Sequence, residues 1–190
     1  MRIKALTLST LAAGLLFSMW QAHAQSETSK SATKHDHGTT LTIPRSMQIE
    51  HEELHSALAK LTKAGGRTGE AAQNVAAIMD RHFAKENEYA LPPLGLLGPL
   101  TEGKFECSMT EVLRLTDKLQ AEMSTMLSEH KEIAAALDKL KSAAISENNQ
   151  AGVQFAEHLA AHAQTEEDIM YRTALLIGLH VKSLAAQCPR

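Results

Sequence analysis

The stretch Arg81-His82-Phe83-Ala84-Lys85-Glu86, RHFAKE, lies inside an otherwise apolar helical seam. Val75, Met79, His82, Glu86 and Tyr89 are spaced 4, 3, 4 and 3 residues apart, the interval that lines the buried side of a helix in a bundle. Two consecutive seam positions are therefore ionisable. An unpartnered buried carboxylate is costly to keep, so something must compensate Glu86.

Working outward, four helical segments are predicted. The first runs from about Pro44 to Ala64 and stops at Gly65-Gly66, a C-terminal signal. The second runs from about Gly69 to Leu91, capped by Thr68 and ended by Pro92-Pro93. A Pro- and Gly-rich loop follows. Ser108-Met109-Thr110-Glu111 reads as a capping box opening a long third helix to about Ile145. Ser146 to Asn149 makes a turn, and the fourth helix runs from about Gln150 to Leu176, with Gly178 near its end and a short amphipathic tail beyond. Short connections within each helix pair predict an all-α, up-down-up-down antiparallel four-helix bundle.

The seams repeat. Met47, His51, Leu54, Leu58 and Leu61 match Met126, His130, Ile133, Leu137 and Leu140 in spacing and chemistry, and IEHEEL around His51 matches SEHKEI around His130. Val75-Met79-His82-Glu86-Tyr89 matches Phe155-Leu159-His162-Glu166-Ile169. The offsets are 79 residues from His51 to His130, and 80 from His82 to His162 and from Glu86 to Glu166. The chain thus reads as two pseudo-repeated helical hairpins, each with one His and then a His-x-x-x-Glu. Counting from the turns at 1.5 Å per residue puts all six side chains at one level of the bundle.

A single His-x-x-x-Glu is weak, since composition alone supplies about one by chance. Six such groups on core seams at one level are not readily explained as a polar network, because each unsatisfied member is costly. Imidazoles suit transition metals, and carboxylates bridge two ions and offset their charge. His51, His82, Glu86, His130, His162 and Glu166 are therefore the candidate metal ligands, in a site with room for two ions.

The pattern H…HxxxE…H…HxxxE, carried by IEHEEL, RHFAKENEYALPPL, SEHKEIAAAL and HAQTEEDIMYRTALLIG, resembles the hemerythrin-like (HHE cation-binding) domain family over about residues 43–180. The resemblance implies a non-haem centre of two iron ions, with Glu86 and Glu166 as bridging carboxylates and the four histidines as terminal ligands. Oxygen-carrying members have a fifth His one turn after the third-helix ligand, where this chain has Ala134. His55, one turn after His51, and His158, one turn before His162, are the candidates to replace it. The implied role is binding or sensing of O₂, nitric oxide or peroxide. A peroxidase or nitric-oxide-related enzyme, and a metal-handling or structural bundle loading another divalent metal, are the alternatives. Ferritin-like centres use Glu-x-x-His, an order neither paired motif here has.

Composition bounds the rest. The chain has 190 residues, formal net charge −3, 44% hydrophobic and 4% aromatic residues, enough for one core and without the basic stripe of a nucleic-acid binder. Arg2 and Lys4, an apolar run over residues 5–20 and Ala22-His23-Ala24 predict a signal peptide at 1–24 and an exported, periplasmic or secreted protein with no membrane span after cleavage. Residues 25–42 are polar and aperiodic, a predicted disordered linker in which His35-Asp36-His37 could loosely hold a metal. The bundle domain is assigned to 43–187. Cys107 and Cys188, before the third helix and after the fourth, suit a disulfide at one end of the bundle rather than a thiol at its midsection.

Overall fold

The computed structural model describes residues 41–189. The signal-peptide and His35-Asp36-His37 readings, and nearly all of the linker, lie outside them. Among the described residues every regular element is helical. Helix one is α1 (Arg45–Leu61) and helix two is α2 (Gly66–Lys85), which passes directly into a π-helical turn, Glu86–Ala90. A crossover carries two 3₁₀ turns, Pro92–Leu96 and Cys107–Glu111, with the short α3 (Leu97–Thr101) between them. Helix three is α4 (Val112–Ser146). Helix four is α5 (Gln150–Thr165), a second π turn at Glu166–Met170, and α6 (Tyr171–Leu184). This is the antiparallel four-helix bundle that the seam spacing predicts.

The buried residues of α1 are Met47, His51, Leu54, Leu58 and Leu61, and the expected seam of α4 is buried throughout. Helix two agrees as well. Helix four departs at one place, because Ile169 is 60% exposed. The π turn is the cause: its wider winding moves the inward face on, so the next buried side chain after Glu166 is Tyr171. Tyr89 in the equivalent π turn stays buried, its hydroxyl on the Met126 sulfur at 3.3 Å and Lys118 over its ring.

Four local expectations are corrected. Helix two begins a turn early, at Gly66, with Gly65 (φ 72°) and Gly66 (φ 60°) in the left-handed region. Thr68 does not cap it; its hydroxyl donates to Glu147 Oε2 at 2.6 Å, and the Arg67 and Thr68 amides donate to the same carboxylate. The Ser108–Glu111 segment winds as a 3₁₀ turn, and the α-helix proper starts at Val112. Gly178 does not end helix four, which continues to Leu184; there a Cβ would sit 2.8 Å from Cβ of Thr116, so the glycine lets helices three and four approach closely. Asn149 does cap α5, accepting from the Gly152 amide at 3.0 Å.

The apolar core is in two parts. One cluster contains Tyr89, Leu91, Leu119, Met126, Tyr171 and Ile177; the other contains Leu54, Leu58, Val75, Met79, Phe83, Ile133 and Leu159. The six ionisable seam residues form the layer between them. Cys107 and Cys188 are joined in a disulfide with Cα atoms 5.6 Å apart.

Candidate metal centre

All six seam residues are buried, none more than 6% exposed. Each comes from a different turn of the four helices, and each His turns Nε2 inward. His82 Nε2 is 2.7 Å from His130 Nε2 and 3.2 Å from Glu86 Oε1. His162 Nε2 is 3.2 Å from His51 Nε2 and 3.0 Å from Glu166 Oε1. The carboxylates span both pairs. Glu166 turns Oε1 to His51 and His162 and Oε2 to His130, the latter at 3.5 Å. Glu86 turns Oε1 to His82 and Oε2 to His51 at 3.8 Å.

Two donor groups result, each within 4.8 Å: His82, Glu86, His130 and Glu166, and His51, His162 and Glu166. Glu166 is common to both. Three buried atoms, Glu86 Oε2, Glu166 Oε1 and His162 Nδ1, have no hydrogen-bond partner. Orphaned acceptors in a dry core are expensive, and the two carboxylate oxygens point where cations would satisfy them. Imidazole and carboxylate donors in this ratio fit borderline metals such as iron.

A family model for the hemerythrin HHE cation binding domain matches residues 45–174. The chain belongs to the hemerythrin HHE cation-binding family. No curated protein and no solved structure matches it. Membership and the His/Glu groups together mark this hemerythrin-like domain as metal-binding.

Burial and mutual proximity set the charges of the metal-free layer. Burial, and then the charge of Glu166, push the Glu86 carboxyl up. Burial also opposes ionisation of Glu166, but the imidazoles of His130, His162 and His51 beside it outweigh burial and hold that carboxyl well below its usual range. Burial lowers the His162 imidazole, yet the adjacent Glu166 carboxylate, with Glu50 and Glu86 beyond it, wins and raises it to about 9. His82 is raised by a similar balance.

Of the two candidates for a fifth His, neither enters a donor group. His55 is exposed and rests its ring on Phe83 at 4.8 Å, because one turn after His51 the side chain leaves the bundle flank. His158 is 55% exposed, with Nε2 3.6 Å from Glu50 Oε1. His180 is exposed on α6.

Several functional side chains escape the seam pattern. Glu129 Oε2 is 2.9 Å from His82 Nδ1, and the Lys85 ammonium donates to Glu129 Oε1. Glu167 Oε1 is 2.8 Å from His130 Nδ1. Such carboxylates fix the ring and raise its basicity as a ligand. Tyr171 donates to Glu86 Oε1 at 2.6 Å and stacks on His130. A signal was available for one of these positions, Glu129: Glu50-His51 and Glu129-His130 are the same dipeptide in the two repeats. A residue adjacent to a seam ligand lies about 100° round the helix, facing a neighbour.

Proposed function

We propose that the domain holds two iron ions and binds a small oxidant, O₂, nitric oxide or peroxide, in an exported protein. The observation that carries this reading is that Glu86 and Glu166 each face both histidine pairs while leaving one oxygen without a hydrogen bond. His82 and His130 would hold one ion and His51 and His162 the other, with the carboxylates shared. Iron supplies one-electron redox chemistry and an open coordination position for a diatomic ligand.

The residues around it set the conditions. With both carboxylates shared, each ion would have two imidazoles and two carboxylate oxygens, which leaves a coordination position open for a small ligand. Apolar clusters on both sides exclude water from the layer. Tyr171 orients Glu86 through its hydrogen bond. Four imidazoles to two carboxylates give a less electron-rich centre than carboxylate-dominated oxidase sites, which favours ligand binding over attack on C–H bonds. The leader-like first 24 residues support export, and the disulfide suits an oxidising compartment.

Metal analysis of protein purified from its native compartment, with an absorption spectrum in air, tests this. Two irons per chain and an oxo-bridge charge-transfer band are expected. Absence of both iron and band overturns the proposal.

A further inference from the structure

We propose that Glu50 and His158 form a surface port through which a divalent transition-metal ion reaches the His51/His162 half of the centre. The inference rests on the metal-binding reading above and adds a route to it. His158, His162 and Glu166 follow one another at four-residue intervals, a single stripe along helix four. Exposure falls steeply along that stripe, from 55% at the His158 side chain to 1% at both His162 and Glu166. Glu50, on helix one and 32% exposed, bridges the step: its Oε1 is 3.6 Å from His158 Nε2 and 3.1 Å from His162 Nδ1.

The spacing suits a cation. Two donors bonded at about 2.1 Å with a near-tetrahedral angle stand roughly 3.4 Å apart. Glu50 and His158 match this, with water left to fill the remaining positions. A second observation points the same way. His162 Nδ1 is fully buried 3.1 Å from Glu50 Oε1, yet the two make no hydrogen bond. No hydrogen bond among the described residues pins the Glu50 carboxylate, so it can carry an ion inward toward His51, its own sequence neighbour.

The other half of the bundle lacks this device. Glu129 occupies the repeat-related place beside His82, but Lys85 ties it down, so its carboxylate is held between His82 and an ammonium. The position equivalent to His158 is Ile78. An ammonium repels an incoming cation and an isoleucine offers it no donor. The route is therefore one-sided.

Anaerobic stopped-flow mixing of the metal-free protein with Co²⁺, followed by its visible d–d bands, tests the port. His158→Ala and Glu50→Gln are each expected to slow loading by roughly tenfold, the scale on which charged clefts alter association rates. Both should reach the wild-type cobalt content and final spectrum. Thr165→Lys, which puts an ammonium at the repeat position of Lys85, should slow loading as well, whereas His180→Ala should load at the wild-type rate. Unchanged rates in His158→Ala and Glu50→Gln overturn the proposal. So does a lower final cobalt content in His158→Ala, since His158 would then be a resident ligand. Failure of the wild-type protein to take up cobalt overturns both the port and the metal reading. Normal loading followed by no binding of nitric oxide to the iron form sinks only the proposed function.

Discussion

In the first hairpin Phe83 is buried and stacks on His51 with ring centroids 4.4 Å apart; its repeat position in the second hairpin is Ala163. Lys85, bound to Glu129, corresponds to Thr165, whose hydroxyl donates to its own helix at Ala161 O. Glu167, on His130, corresponds to Asn87, and Tyr171 to Leu91. The ligands and the π turns that begin at Glu86 and Glu166 repeat; the side chains around them do not. A symmetric backbone therefore carries two unequal candidate metal positions. The His82/His130 position is braced by Glu129, Glu167, Lys85 and Tyr171, while the His51/His162 position has the unbonded Glu50 and the ring of Phe83.

The hardest way to break this comparison is to remove a shared carboxylate. Glu166→Ala and Glu86→Ala should each lose the two-metal centre, measured as metal per chain by elemental analysis, whereas His180→Ala keeps it; equal content in all three contradicts the assignment. The two ends of the bundle differ next. The disulfide closes the second hairpin across a sequence separation of 81, and replacing both cysteines by serine should cost about 4 kcal/mol in denaturant unfolding. At Gly178, where Thr116 presses on helix four, Gly178→Ala should cost about 1–3 kcal/mol. Gly98, with nothing within 4 Å of an added Cβ, should tolerate Ala with a change of about 0.5 kcal/mol or less.

The smallest expected effect lies at the turns, where Glu147 of the second hairpin holds the start of helix two. Hydrogen bonds from Thr68 and Arg67 keep its carboxyl below the ordinary glutamate value of 4.5. Its contribution to stability is then complete above that value and fades as pH falls through the lower folded-state pKa. Glu147→Gln should flatten the loss of stability on acidification below about pH 4.5. Parallel acid profiles for the variant and the wild type would argue against the clamp.

The repeat and its seams were legible because apolar spacing and ligand chemistry agree at the same positions, from Met47 through Leu61 and again from Met126 through Leu140. That agreement identifies the bundle and gathers the six polar side chains. Ile169 was misread because a π turn leaves no mark in the 3.6-residue periodicity. Gly178 was misread as a stop because its role, admitting Thr116, depends on a partner helix far away in sequence. Glu129, Glu167 and Tyr171 sit off the seam or beyond the bulge, where position along one helix does not say what the next helix offers. The expectation that His55 and His158 supply a further ligand rests on their spacing from the candidate ligands His51 and His162. A single turn of helix carries each of them from the core to the surface.

The layer of histidines and carboxylates has a consequence for folding. It divides the apolar core into two clusters that meet only across groups water would gladly solvate. Helices usually open from their ends inward. In the metal-free protein the least protected backbone amides should instead lie in mid-helix, at His82 to Glu86 and His162 to Glu166, with slower hydrogen exchange above and below. Bound ions would act as mortar between two half-cores and make a single cooperative unit of them.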